Sequence, residues 1–90
     1  MLKITNIAED GKAKRLRLDG TLSGPWVEEL QRQCEARLEE DDTLVLDCAG
    51  LSFVDARGIG LMRSLSAQQV LLVDCSPYLA LQLKETADRH

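Results

Sequence analysis

The chain has 90 residues, of which 44% are hydrophobic and 29% charged, and its formal net charge is −4. This length and composition predict one globular domain spanning residues 1–90. The acidic balance and the single Trp, Tyr and Phe exclude the basic patch and the stacking rings that nucleic acids need. No apolar run reaches the length of a membrane span, about 20 residues, and the first residues lack a signal-peptide core. We therefore expect a cytoplasmic protein without direct membrane insertion.

Cysteine and histidine usage argues against a metal centre and against catalysis. The three cysteines, Cys34, Cys48 and Cys75, are odd in number and show no CxxC spacing, which disfavours a disulfide framework or a zinc site. The only histidine is the last residue, His90, so a Ser-His or Cys-His pair would depend on a chain terminus. We expect no enzymatic activity, no metal and no cofactor.

The first part of the chain predicts a β-hairpin. Leu2–Ile7 alternates as a short strand, and residues 8–11 contain the Asp-Gly pair typical of a hairpin turn. In the strand Lys14–Asp19, Leu16 and Leu18 share one face and the charged residues share the other. This pattern predicts a sheet with one wetted face.

The next segment predicts a loop and an amphipathic helix. Residues 20–24 are typical of a loop, and Pro25 suits the first turn of a helix. Apolar residues recur at helical spacing through residues 25–39. The acidic residues 39–42 are interpreted as a solvated helix end, with a docking patch for a basic partner as the alternative.

Two further strand–helix units follow. The first comprises a buried strand Thr43–Asp47, a loop Cys48–Ser52, Phe53-Val54, and a helix capped by Asp55 that ends near Ser66. The second comprises a strand Gln69–Asp74, the Ser76-Pro77 helix start, and a helix over residues 77–87.

The element order ββαβαβα predicts an α/β fold. Strand–helix–strand repeats pair in parallel through right-handed crossovers, and the opening hairpin adds one antiparallel edge strand. We predict a four-stranded mixed sheet in sequence order, with three helices mainly on one face. The apolar middle strand would leave an apolar patch on the open face.

Three interpretations of the turn at Asp55 are open from the residues alone. The free N–H groups of a helix start could hold an anion, with Arg57 adding positive charge. Gly58-Ile59-Gly60 suggests a phosphate loop but lacks its spacing and its lysine. Gly58 could also simply allow close passage of a neighbouring backbone.

Other strand ends carry further candidates. Asp47, Asp55 and Asp74 fall near the carboxyl ends of parallel strands, where three carboxylates could hold Mg²⁺. We interpret them as caps and hydrogen-bond acceptors. Cys48 and Cys75 would lie near each other if their strands are adjacent, and we interpret them as small apolar residues.

The chain resembles the STAS domain, the family of bacterial anti-sigma-factor antagonists. The similarity rests on the Gly20-Thr21-Leu22 turn, Leu44-Val45-Leu46-Asp47, the stretch Phe53 to Gly60, and Ser76-Pro77. In the family the turn usually reads Asp-Ser-Ser-Gly, and its first hydroxyl is phosphorylated by a partner kinase. The resemblance places Asp55 at the Asp, Ala56 at the phosphoacceptor and Arg57 at the second Ser. Because alanine has no hydroxyl, the phosphoryl switch cannot operate at position 56.

The resemblance implies a non-enzymatic module that docks a protein partner. The expected contact residues lie in two segments: Gly20, Thr21, Leu22 and Ser23, and Asp55, Ala56, Arg57, Gly58 and Ile59. Arg57 and Ile59 would supply charge and apolar contact at the rim, and Ser23 or Ser52 could substitute as phosphoacceptor. The partner would be an anti-sigma-factor kinase or, alternatively, the ATPase of a bacterial lipid-transport ABC complex. A small nucleotide- or metal-binding signalling protein is the remaining alternative.

Overall fold

The computed structural model describes residues 1–10, 13–40 and 43–87. Its elements, in chain order, are β1 (Leu2–Asp10), β2 (Ala13–Leu22), α1 (Pro25–Glu39), β3 (Thr43–Val54), α2 (Ala56–Ala67), β4 (Leu71–Val73) and α3 (Pro77–Ala87). This order confirms the predicted ββαβαβα arrangement. Strand β1 is longer than the predicted Leu2–Ile7, because residues 8–10, expected in the turn, belong to it. Gly11 of the predicted turn, residues 41 and 42 of the acidic run, and His90 lie outside the described residues.

The four strands form one sheet in the order β1-β2-β3-β4. The β1–β2 pair is antiparallel, whereas β2–β3 and β3–β4 are parallel. The predicted mixed sheet in sequence order is therefore confirmed. None of the helices in the described part of the chain has the length and apolar character needed to cross a bilayer.

One face of the sheet carries the core. Leu16 pairs with Leu46, and both side chains are at most 1% exposed. The helices add Leu30, Met62 and Leu79 to the same buried cluster. Burying a leucine of this kind contributes about 1.5–3 kcal/mol, so helix packing on this single face accounts for much of the stability.

The open face is mostly polar. Arg15 bonds Asp47 there, with 3.4 Å between Nη2 and Oδ2, and Arg15 and Arg17 alternate with the buried leucines. The apolar contribution expected from the middle strand is the half-buried Val45, which pairs with exposed Leu71 of β4. The apolar patch comprises these two neighbours and the half-buried Val73, which lies two residues after Leu71 on the same face of β4.

The two central strands are longer than predicted. Gly20–Leu22 and Cys48–Ser52, expected as loops, lie within β2 and β3. Irregularities in the register fall between Arg17 and Asp19 and between Gly20 and Thr21. These bulges let β2 and β3 stay paired through small and polar residues. Such residues usually form hydrogen bonds within turns, but here the neighbouring strand supplies those bonds.

Strand β4 is shorter than the predicted Gln69–Asp74. Gln69 and Asp74 have φ values of 73° and 56°, which is the left-handed region that ends regular strand geometry. Only Leu71–Val73 therefore pairs with β3. Helix α1 matches its predicted bounds, α3 does the same, and α2 extends one residue beyond Ser66.

Candidate functional site

The two segments expected to form the contact surface meet at the carboxyl ends of β2 and β3. Leu22, the last residue of β2, pairs with Val54, the last residue of β3. The chain then enters α1 from one strand and α2 from the other. This places Gly20–Ser23 beside Asp55–Ile59, and we call the combined feature the twin-segment surface.

Asp55 connects the two segments through three hydrogen bonds. Its Oδ1 accepts from the Gly58 N–H at 2.8 Å, which caps α2. Its Oδ2 accepts from the Gly24 N–H at 3.1 Å, at the start of α1. Its own backbone N–H donates to the Leu22 carbonyl at 3.0 Å. One side chain therefore holds the starts of both helices in a fixed relation.

These contacts favour the charged form of the carboxylate. The Gly58 and Gly24 N–H groups, in that order, hold the pKa of Asp55 below its ordinary value, and Arg57 adds a smaller effect of the same sign. Hydrogen bonds to a carboxylate stabilise the ion relative to the acid. Since both oxygens already accept internal donors, the carboxylate occupies the positive end of α2 itself, where an external anion would otherwise bind.

Gly58 has the structural role that was one of its predicted alternatives. A Cβ at this position would lie 2.6 Å from Val54 Cγ1 and 2.9 Å from the Leu22 carbonyl oxygen. Such distances are shorter than van der Waals contact, so only glycine lets the first turn of α2 approach β2. A Cβ at Gly60, in contrast, would meet nothing within 4 Å.

The solvent-accessible part of the Asp55–Ile59 segment is the first turn of α2. Ala56 and Arg57 are exposed, and Arg57 Nη2 lies 3.2 Å from Oε1 of Glu28 on α1. The expectation that Ile59 supplies apolar contact at the rim is wrong, because its side chain is 6% exposed and belongs to the core. Gly58 is buried as well.

The Gly20–Ser23 segment is partly accessible. Leu22 is fully buried, whereas Gly20, Thr21 and Ser23 are half-buried. Gly20 has a φ of 106°, a conformation that favours glycine, and its carbonyl accepts a 3.0 Å bond from the Ser52 hydroxyl. The Ser23 hydroxyl bonds no described residue, so of the two alternative serines it is the one with an unengaged oxygen.

Gly24 and Glu28 contact this surface but were not among the residues predicted for it from sequence. Gly24 provides the donor that joins α1 to Asp55, and Glu28 provides the acidic partner of Arg57. The only signal at Gly24 was its position before Pro25, since its partner lies 31 residues away. Glu28 was visible only as an acidic residue in the first turn of α1.

The strand-end aspartates belong to two networks: Asp47 and Asp74 share Arg15, whereas Asp55 lies apart from them. Asp47 bonds the Ala49 N–H at 3.0 Å and Arg15; these contacts, the Ala49 bond first, lower its pKa. Asp74 Oδ2 lies 4.0 Å from Arg15, and Asp55 serves the helix starts. Within residues 1–10, 13–40 and 43–87, no group of three or more His, Cys, Asp or Glu residues could hold a metal ion.

Comparisons with known proteins agree with this architecture. The family model described as "Mlab, STAS domain" matches residues 5–76. The unphosphorylated form of the anti-sigma factor antagonist SpoIIAA superposes with a TM-score of 0.72 and 23% identity, over 91% of this chain and 82% of that one. A crystal structure of Mglu gives 0.63 and 22%, over 78% of this chain but only 19% of that one. No curated protein sequence matches the chain.

At these identities the two solved structures show the likeness of fold alone, whereas the family model covers most of the sequence, including both segments of the twin-segment surface. The chain therefore belongs to the STAS domain family.

Proposed function

We propose that this chain is a non-enzymatic, cytoplasmic interaction module that docks a protein partner through the twin-segment surface. The observation that carries the proposal is the double acceptance by Asp55, which binds Gly58 at one helix start and Gly24 at the other. A surface fixed in this way is pre-organised, so a partner loses little free energy in ordering it. Ala56 and Arg57 are exposed on the first turn of α2, where a partner can reach them.

Docking would not be switchable by phosphorylation at position 56. Ala56 stands where the family resemblance places the phosphoacceptor, and a methyl group cannot accept a phosphoryl group. A phosphate would have brought about −1.5 to −2 charges to the start of α2. The module would therefore remain in the form that corresponds to the unphosphorylated state of its family.

Ala56 also favours a second candidate partner, the ATPase of a lipid-transport ABC complex. STAS-like small subunits of lipid-transport ABC complexes often lack the phosphoacceptor, as this chain does. In that case the twin-segment surface would dock the ATPase of the complex. The partner proteins to be tested are then the products of neighbouring genes: an anti-sigma-factor kinase, or an ATPase.

The test of docking is Ala56→Glu in a quantitative binding assay with each purified candidate. A glutamate at the first position of α2 complements the helix dipole, so the fold should be retained while the contact gains a buried negative charge. We expect the affinity to fall at least roughly tenfold, which corresponds to about 1.4 kcal/mol. Ala36→Glu is the matched control, because Ala36 is exposed near the far end of α1. Equal binding by the wild type and Ala56→Glu would contradict the proposal.

The variant Ala56→Ser separates the two partner classes. It restores a hydroxyl at the position of the family's phosphoacceptor. A kinase-type partner with ATP and Mg²⁺ should add about 80 Da to this variant and nothing to the wild type. An ATPase partner should bind both chains equally and modify neither. Mass spectrometry of the two chains after incubation gives the answer.

A further inference from the structure

Two of the three cysteines lie on the side of the sheet farthest from β1, one on β3 and one just after β4. Cys48 is on the core face of β3 and is 2% exposed. Asp47 pairs with Val73, so Cys48 is level with the residue after β4. That residue, Asp74, has a φ of 56° and turns the chain so that Cys75 packs against the core. The Cys48 thiol donates to the Leu46 carbonyl oxygen at 3.7 Å, and Cys75 is among the neighbouring groups close enough to raise its pKa.

The two thiols differ in accessibility. Both cysteines are free in the structure, and Cys75 is only half-buried. Cys48 has no route to solvent of its own, and burial raises the pKa of its thiol. A soluble reagent therefore reaches Cys75 first, and Cys48 is within reach of whatever forms there.

The third cysteine lacks these features. Cys34 is fully buried in α1, and burial raises the pKa of its thiol to about 12. Burial closes Cys34 to a soluble reagent, and no other cysteine is among the groups that act on its thiol, so it has neither the access of Cys75 nor the neighbouring sulfur of Cys48. It provides an internal control.

We propose that Cys48 and Cys75 are a redox modification site that a peroxide converts into an intramolecular disulfide. In the first step the Cys75 sulfur attacks hydrogen peroxide, breaking its O–O bond to give a sulfenic acid and one water. In the second step the Cys48 sulfur attacks the sulfenic sulfur, releasing a second water. Two thiols lose two electrons and two protons, and one peroxide becomes two waters.

The bridge would connect β3 to the start of α3. Cys75 directly precedes Ser76, whose hydroxyl caps α3 through the Leu79 N–H at 3.1 Å. Leu79 at the same end of α3 lines one small cavity together with Phe53 and Val54, which lead into Asp55. Oxidation would therefore fix α3 against the strand that carries the twin-segment surface. The proposal does not depend on the identity of the docking partner.

The experiment is treatment of the folded chain with hydrogen peroxide, under conditions that fully oxidise free cysteine in the same solution. Thiol titration in denaturant should fall from three thiols per chain to one, and the intact mass should fall by about 2 Da. Peptide mapping should identify a Cys48–Cys75 bridge. Dithiothreitol should restore all three thiols.

Variants assign the reaction to this pair. Cys75→Ala changes a half-buried residue and should keep both of its remaining thiols. Cys34→Ala should lose both of its thiols; if it does not fold, the peptide map of the wild type makes the assignment. Retention of three thiols, a sulfinic acid at Cys75 without a bridge, or a disulfide between two chains would each overturn the proposal.

Discussion

Helices α1 and α2 begin at the same edge of the sheet, but they are capped differently. Asp55 caps α2 through its own side chain, as expected of a residue with a short acceptor. The N-cap of α1 is Gly24, which has no side chain and makes no side-chain cap bond. Instead its N–H donates to Asp55, 31 residues away. The start of α1 thus depends on the cap of α2.

The difference shows that the twin-segment surface is not assembled from two independent turns. A local cap, such as Ser76 at α3, stabilises one helix. Asp55 stabilises one helix and also fixes the position of another. Substitutions around Asp55 should therefore affect both segments together, whereas substitutions elsewhere on either helix should not.

The largest effect is expected for Asp55→Ala. It removes the cap of α2 and leaves the Gly24 N–H without its acceptor, and half-buried donors without partners are costly. We expect the melting temperature to fall by roughly 8 °C or more, with amide signals shifting at the starts of both helices. Glu35→Ala, which removes an exposed carboxylate from α1, should change neither. If the signals of α1 stay in place, the two helix starts are independent.

Lowering the pH should remove the part of the stabilisation by Asp55 that depends on the negative charge of its carboxylate. The folded-state pKa of Asp55 lies below the ordinary value of 3.8 because of the Gly58 and Gly24 N–H groups. The unfolded chain therefore takes up its proton first, and the contribution is present above the ordinary value and lost as the pH falls through the lowered one. Urea unfolding between pH 7 and pH 2.5 should show it as a difference between the wild type and Asp55→Asn. That difference should be constant above about pH 5 and should shrink below pH 4.

Smaller changes in stability, of opposite sign, are expected when the two glycines at the start of α2 are replaced by alanine. Gly58→Ala places a methyl group 2.6 Å from Val54 Cγ1 and should destabilise the chain by about 1–2 kcal/mol, overpacking outweighing the helix-propensity gain. Gly60→Ala meets nothing within 4 Å and should stabilise by about 0.5–1 kcal/mol. Denaturant midpoints measure both. Stabilisation by both variants would show that α2 does not need close approach to Leu22.

The helix starts were predictable from sequence because their signals are local. Pro25, the Asp55 cap and Ser76-Pro77 each act within a few residues, and helical spacing fixes the buried stripe. Ile59 was misassigned although it lies three residues before Met62, one helical turn from another apolar residue of α2 that is buried in the core. Its burial could have been inferred from that spacing.

The extensions of β2 and β3 were not predictable in the same way. Glycine and serine are typical of loops, and Cys48–Ser52 contains both. Pairing with a strand about 30 residues away, through two bulges, overrides that preference. The Gly24–Asp55 bond was hidden for the same reason, since nothing in the spacing of either residue indicates the other.

The smallest effect on stability is expected for substitution of Arg57. This residue separates a role in stability from a role in partner binding at the twin-segment surface. Arg57 pairs with Glu28 at 3.2 Å, but both side chains are more than 60% exposed, and exposed pairs contribute about 0–1 kcal/mol. A double-mutant cycle with Arg57→Gln and Glu28→Gln should give a coupling energy below about 0.5 kcal/mol in urea unfolding.

Unlike Asp55, which holds the twin-segment surface in place, Arg57 projects from it. If the first turn of α2 contacts the partner, Arg57→Gln should weaken binding while leaving the unfolding midpoint within error of the wild type. A variant that binds as well as the wild type would remove Arg57 from the contact and leave Ala56 as its accessible centre.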